Sequence, residues 1–164
     1  IILIFFMFKI SLFSSSLTSG ENAPNFILND QDGNQHKLKH YKGKKLVIYF
    51  FPKVFTPGWT KQACGLRDNY TSFKKNNISI LGVSYDSQMQ LKEFKEKYDL
   101  EFDLLSDSEK IMGKLYGVNS FYFFPQRKTF LINEEGKLVH VIDSVNIDSH
   151  ANDILEIFKK TQGA

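Results

Sequence analysis

Two continuous apolar runs, each followed by an amphipathic helical pattern, constrain the fold of this chain most strongly. Residues 45–51 and 78–84 show no alternation of polar and apolar side chains, which is typical of strands covered on both faces. Apolar residues then recur at three- to four-residue spacing over residues 60–75 and 88–98, which predicts helices. Strands that alternate with helices pair in parallel through right-handed crossovers. The sequence therefore predicts an α/β domain.

Shorter elements extend this core at both ends. Asp32-Gly33 separates two short runs, and Glu135-Gly136 separates two more; such dipeptides predict hairpin turns. The remaining predicted elements are a strand over 103–106, a helix over 108–116 and a terminal helix over 152–160. The hairpins make the sheet mixed. We therefore predict a thioredoxin-like fold: a central mixed β-sheet flanked by helices, with an N-terminal β-hairpin.

Residues 1–19 differ from the rest of the chain. Residues 1–8 are apolar and residues 10–19 are rich in serine. The apolar run is shorter than the roughly 20 residues of a membrane span, and it lacks the basic segment of a signal peptide. We interpret 1–19 as a targeting leader or as upstream sequence, and 20–164 as one domain. The predicted location is cytoplasmic, or secreted or organellar if 1–19 is a signal.

Composition excludes several classes of protein. The chain is 42% hydrophobic and 24% charged, as in globular proteins. Its 21 Lys and Arg against 18 Asp and Glu give a net charge of +3, and the scattered lysines argue against nucleic-acid binding. A single cysteine, Cys64, excludes an internal disulfide framework and a cysteine-rich zinc site. His36 and His40 lie across a strand and a loop, so we expect solvated side chains and no metal site; Asp30 does not begin a complete calcium loop.

The junction after the first buried strand is the predicted functional site. Pro52 ends the strand, and Thr56-Pro57-Gly58 begins a helix, since Thr caps helices and Pro occupies their first turn. Ligands of open α/β sheets collect at the carboxyl ends of strands. The free N–H groups of a helix N-terminus stabilise an anion such as a thiolate. A reactive group is therefore expected in the first turn, at position 59.

This junction resembles the peroxiredoxin family (AhpC/TSA), in its bacterioferritin-comigratory-protein or PrxQ branch. The matching residues are Pro52, Thr56, Pro57, Gly58, Thr60, Gln62, Ala63, Cys64, Gly65, Arg67 and Asp68. The resemblance runs from about residue 20 to the C-terminus. It implies an antioxidant thiol peroxidase that reduces hydrogen peroxide and organic hydroperoxides, with thioredoxin or a similar dithiol as the reductant. It also implies that the enzyme uses no metal or organic cofactor and is a monomer.

The resemblance also implies roles for individual residues. Position 59 corresponds to the peroxidatic cysteine and Cys64 to the resolving thiol. Thr56 and Arg127 correspond to the groups that polarise the peroxide and lower the thiolate pKa. Pro52, Pro57 and Gly58 would line the substrate pocket. In this chain, however, position 59 is Trp59. An indole cannot form sulfenic acid, and we expect its bulk to crowd the peroxide pocket.

Three explanations for Trp59 stay open at the level of sequence. The chain is a natural pseudoenzyme. Alternatively, Trp59 is an engineered or sequencing change, since one base converts a Cys codon to a Trp codon. The third explanation is that Cys64 has become the nucleophile. The last is least favoured, because Cys64 lies about 7–8 Å further along the helix axis. We expect little or no activity from the chain as written. The alternative function is a non-catalytic binding module or a thiol sensor at Cys64.

The aromatic run 121–124 is expected to form a core lid or an exposed patch.

Overall fold

The computed structural model describes residues 16–120 and 123–162 and contains the predicted mixed sheet. Seven strands are present in these residues. They are β1 (Ile27–Asp30), β2 (Gln35–Lys37), β3 (Lys45–Phe50), β4 (Ile78–Ser84), β5 (Asp103–Ser106), β6 (Thr129–Ile132) and β7 (Leu138–Ile142). The order across the sheet is β2-β1-β5-β4-β3-β6-β7. Strands β3, β4 and β5 are parallel, and the outer pairs are antiparallel, which confirms the predicted topology.

Helices connect the parallel strands and cover the sheet. They are α1 (Pro57–Asp68), α2 (Tyr70–Lys75), α3 (Gln88–Lys97), α4 (Ile111–Leu115) and α5 (His150–Thr161). A 3-10 turn over Leu38–Tyr41, which the sequence pattern did not indicate, follows β2.

Three predicted helix boundaries were wrong, and side-chain hydrogen bonds account for two of them. The single helix over 60–75 is two helices, because Asn69 interrupts it and donates its side-chain amide to the Gly65 carbonyl at 2.8 Å. The third helix starts at residue 111 and not 108, because the carboxylate of Asp107 accepts the N–H groups of Met112 and Gly113. The terminal helix starts two residues early, at His150.

The β3 strand divides the core into two clusters. All six of its residues are buried, and alternate side chains point to opposite faces of the sheet. Val47 and Tyr49 face the cluster that contains residues of α1, α3 and α5. Leu46, Ile48 and Phe50 face the other cluster, which contains Met112 of α4. Helices therefore cover both faces of the strand that leads into the predicted site.

The described part of the chain begins just before the predicted domain. Ser19 donates its hydroxyl to the Val139 carbonyl at 2.9 Å, and the Gly20 N–H donates to the Leu138 carbonyl at 2.8 Å. Leu17 is half-buried against the core. Most of the predicted leader, residues 1–15, lies outside the described residues. Among those described, no helix has both the length and the apolar character needed to cross a membrane.

Gly82, in the central strand β4, is expected to tolerate no side chain. A Cβ there would lie 2.7 Å from the Tyr49 hydroxyl oxygen and 2.8 Å from Leu104 Cδ2. We expect Gly82→Ala to lower the free energy of unfolding by about 1–3 kcal/mol, measured by urea denaturation. Gly65→Ala is the matched control, because a Cβ there meets nothing within 4 Å and alanine is the better helix former. Equal stability of Gly82→Ala and the parent chain would contradict the crowding.

Candidate functional site

The β3–α1 junction places position 59 in the first turn of α1, as predicted. Pro57 is the first residue of the helix, and Thr56 precedes it in extended conformation. The Thr56 side chain makes no capping hydrogen bond to α1; its hydroxyl donates to the Lys53 carbonyl at 2.9 Å. The prediction that the Thr56 side chain caps the helix was therefore wrong. This hydroxyl instead closes the loop between strand and helix.

Trp59 points into the protein core. Its side chain is 0% exposed, and its ring stacks on Phe51 with centroids 3.6 Å apart and planes 2° apart. Tyr49 and Phe94 lie at 5.0 and 5.6 Å. Its indole Nε1 is buried and has no hydrogen-bond partner among the residues described. Aromatic packing directs the ring into the core, and it leaves no reactive atom at the helix start; that its bulk crowds the peroxide pocket stays a prediction.

Arg127 lies directly against the start of α1. A Cβ on Gly58 would lie 3.5 Å from Arg127 Nη2 and 3.4 Å from Ile147 Cδ1. The missing side chain of Gly58 therefore allows the guanidinium to approach the first turn closely. Nη1 of Arg127 donates to Gln62 Oε1 at 3.0 Å. Burial lowers the pKa of Arg127, a side chain that stays charged in proteins.

A buried hydrogen-bond chain supports this arginine. Gln62 Nε2 lies 3.1 Å from His150 Nδ1, and His150 Nε2 lies 2.9 Å from the Thr129 hydroxyl oxygen. Burial lowers the pKa of His150 to about 4, with the charge of Arg127 acting in the same direction and that of Asp153 against it. The imidazole is therefore neutral at pH 7. Because the Gln62 amide nitrogen can only donate, we assign the imidazole proton to Nε2.

Sequence reasoning missed most of this chain of contacts. Gln62 was identified only as one of the residues that match the family, and Thr129 and His150 were not predicted to be functional. Gln62 and His150 are 88 residues apart, and Thr129 and His150 are 21 apart. No periodicity links such positions. The one available signal was a polar residue inside each apolar pattern: Gln62 on the inner face of α1 and Thr129 at the start of β6.

Cys64 lies on a different side of α1 from Trp59. Five residues advance a helix by about 140° beyond one full turn. The core-facing residues of α1 are Trp59, Gln62, Ala63 and Leu66, whereas Cys64 is half-buried. The structure therefore does not bring positions 59 and 64 together. This half-buried position is also what we expect for a small, unpaired apolar side chain.

The predicted pocket residues Pro52, Pro57 and Gly58 lie in the junction itself. Pro52 and Gly58 are half-buried and Pro57 is exposed. Phe123 is 84% exposed and lies near the Lys110 ammonium group, 5.9 Å from the ring centre. Phe124 is 42% exposed, so these two residues form a patch on the surface and not a core lid. The other half of that prediction, residues 121 and 122, lies outside the described residues.

The chain is similar to known proteins over nearly its whole length. The AhpC/TSA family profile matches residues 19–141. Peroxiredoxin Bcp of Escherichia coli K12 is 41% identical over 151 residues, which cover 88% of this chain and 97% of that protein. The chloroplastic peroxiredoxin Q of Oryza sativa subsp. japonica is 39% identical over 146 residues, covering 87% and 67%.

Solved structures agree with this similarity. A cysteine-to-serine mutant of PrxQ from Xylella fastidiosa superposes with a TM-score of 0.85 at 28% identity, covering 90% of this chain and 99% of that one. BcpB of Mycobacterium tuberculosis gives a TM-score of 0.82 at 30% identity, covering 87% and 96%. The predicted fold and family are confirmed. The chain belongs to the AhpC/TSA family, and within it to the Bcp and PrxQ peroxiredoxins.

Proposed function

We propose that the β3–α1 junction is the site of a thiol-dependent peroxidase from which the nucleophile has been lost. In this chemistry a thiolate sulfur attacks the peroxide O–O bond, becomes a sulfenic acid and releases water or an alcohol. A second thiol then forms a disulfide, and a dithiol such as thioredoxin reduces it by exchange. The observation that carries the proposal is the burial of Trp59 at the first turn of α1. An indole supplies no sulfur, so the chain turns over little or no peroxide.

The groups around the missing sulfur support the same assignment. The guanidinium of Arg127 lies against Gly58, and the N–H groups of the first turn of α1 point toward the same junction. Both favour a negative charge at this position. The neutral Gln62–His150 pair holds the arginine without adding a competing charge. The junction therefore keeps the electrostatic environment that a thiolate and a peroxide need.

Cys64 is a poor substitute for the lost nucleophile. It lies more than one helical turn beyond the N-terminus of α1, where the stabilising effect of the helix dipole has faded. Its side chain is half-buried and faces away from the core-directed position 59. We therefore propose a non-catalytic role for the chain as written, as a peroxiredoxin-fold binding module, in preference to a peroxidase that uses Cys64.

A coupled peroxidase assay tests the proposal. Hydrogen peroxide consumption is measured with thioredoxin, thioredoxin reductase and NADPH for the unmodified chain, Trp59→Cys and Cys64→Ser. We expect the unmodified chain to match the enzyme-free rate and Trp59→Cys to turn over. Brisk turnover by the unmodified chain that Cys64→Ser abolishes would overturn the proposal and make Cys64 the nucleophile. A folded Trp59→Cys variant that stays inactive would show that the junction is not a peroxidase site.

The remaining expectations about assembly, partner and location complete the proposal. We propose a monomer whose reductant is thioredoxin or a similar dithiol, located in the cytoplasm unless residues 1–19 act as a signal. Size-exclusion chromatography with light scattering tests the monomer. Expression of the full chain with a C-terminal fluorescent tag, beside a form that lacks residues 1–19, tests the location.

A further inference from the structure

A histidine and two carboxylates converge on β1, β2 and β5, the three strands on the side of the sheet away from β6 and β7. Asp30 ends β1, His36 lies in β2 and Asp103 starts β5. Strand β4 lies between β5 and β3, so these residues lie to the side of β3 and not on the strand that leads into α1. Solvated histidines were expected from the sequence. His40 is exposed, as expected, but the His36 side chain is only 14% exposed and pairs with Asp30.

The facing atoms of the three side chains are spaced as metal ligands are. His36 Nε2 lies 2.8 Å from Asp30 Oδ2 and 3.9 Å from Asp103 Oδ2. One ligand atom from each residue lies within 4.8 Å of the others. A zinc ion binds nitrogen and oxygen at about 2.0–2.2 Å, which places tetrahedral ligand atoms about 3.3–3.6 Å apart. The observed separations bracket this value, so small side-chain shifts suffice to enclose an ion.

Asp30 and His36 each use their other polar atom to fix their orientation. Asp30 Oδ1 accepts the N–H groups of Asp32 and Asn34 at 2.9 and 3.0 Å. His36 Nδ1 lies 2.6 Å from the Tyr41 hydroxyl oxygen. Metal-binding histidines are commonly oriented in this way, by a partner on the nitrogen that does not hold the metal. Asp30 Oδ2 and His36 Nε2 are the atoms left facing each other, 2.8 Å apart.

Asp103 is held in the same manner. Its Oδ1 accepts hydrogen bonds from Gln31 Nε2 at 2.9 Å and from Lys95 Nζ at 2.8 Å, and its Oδ2 faces the histidine. Lys95 neutralises one of the two carboxylates. The two carboxylates and Lys95 together leave a formal charge of −1, which favours a divalent cation.

We propose that Asp30, His36 and Asp103 form a zinc-class metal site with three protein ligands and a fourth position for water. An imidazole with two carboxylates suits zinc and neighbouring transition metals, whereas calcium and magnesium require more oxygen ligands. The bound ion would join the β1–β2 hairpin to β5, because its ligands come from these three strands. The site lies apart from the β3–α1 junction and does not depend on the peroxidase assignment.

Titration of the full chain with Zn²⁺ tests the site. We expect one Zn²⁺ per chain by calorimetry and a rise in Tm of several degrees. His36→Gln and Asp103→Asn are each expected to weaken binding at least about 100-fold, and Tyr41→Phe about 10-fold. His40→Gln is the matched control and should bind normally, since His40 is exposed four residues away. Circular dichroism confirms that each variant is folded.

Three results would decide against the site. Cys64→Ser should bind Zn²⁺ as the parent chain does, and Co²⁺ loading should give no intense thiolate charge-transfer band. Loss of binding in Cys64→Ser would assign the metal to the thiol and overturn the proposal. Unchanged affinity in folded His36→Gln, or no binding to the parent chain at up to millimolar Zn²⁺, would overturn it as well.

Discussion

Trp59→Cys is expected to consume hydrogen peroxide at least about 10³-fold faster than the unmodified chain in the thioredoxin-coupled assay, because removal of an enzyme's nucleophile costs a factor of this size or more. The substitution places a sulfur in the first turn of α1. The helix N-terminus and the nearby guanidinium of Arg127 both stabilise its thiolate. Cys64, five residues further along the chain, is the expected resolving thiol. Because the folded helix places it on a different side of α1, the two sulfurs can pair only after this part of α1 rearranges.

Two matched variants show whether the gain comes from this chemistry. Trp59→Ser makes a similar cavity without a sulfur and should stay at the background rate. Addition of Arg127→Ala to Trp59→Cys should lower turnover by about 10²–10³-fold, the usual effect of removing a charged or hydrogen-bonding group that stabilises a transition state. Activity in Trp59→Ser, or full activity without Arg127, would contradict the assigned roles.

The same substitution is expected to destabilise the fold. Trp59 is fully buried and stacks on Phe51, so truncation leaves a cavity in the core. Replacement of a buried aromatic residue by a small one costs about 3–5 kcal/mol in free energy of unfolding. Trp59→Phe should cost less, because it keeps a stacked ring and removes the unpaired indole N–H. Urea denaturation of the three proteins measures these differences, and the peroxidase assay belongs at a temperature where Trp59→Cys is folded.

The sequence alone was sufficient to predict the mixed sheet and the location of the β3–α1 junction. The β3 and β4 strands follow from uninterrupted apolar runs, and the start of α1 follows from Thr56-Pro57-Gly58, since these signals are local. The break at Asn69 was less visible, because it depends on one side-chain hydrogen bond to a carbonyl four residues earlier.

The direction of Trp59 and the buried polar groups could not be predicted in the same way. A first-turn residue can face a pocket or the core, and the choice here depends on Phe51 and Phe94. Asp30, His36 and Asp103 come from three strands. Contacts of this kind are set by sheet order and strand register, which hydropathy patterns do not specify.

The buried His150 should make the protein sensitive to acid between pH 6.5 and 4. Its folded-state pKa of about 4 lies below the unfolded value of 6.5. As the pH falls through this window, the unfolded chain takes up a proton that folded His150 does not, so unfolding becomes more favourable. The contribution of His150 to the free energy of unfolding is fully present above pH 6.5 and is lost by pH 4. With 1.36 kcal/mol for each pH unit, it amounts to about 3 kcal/mol.

Urea unfolding of the parent chain and His150→Asn at pH 7.5, 5.5 and 4.0 isolates this contribution. Asp30, whose pKa is raised by burial but lowered on balance by its hydrogen bonds to His36 and to the backbone, titrates in both proteins and cancels from the difference. We expect His150→Asn to be less stable at pH 7.5, because it breaks the hydrogen bonds to Gln62 and Thr129. The difference should shrink by about 3 kcal/mol at pH 4.0. Parallel pH dependences would mean that folding does not lower the pKa of His150, and would contradict the assignment in which its Nδ1 accepts from Gln62 Nε2.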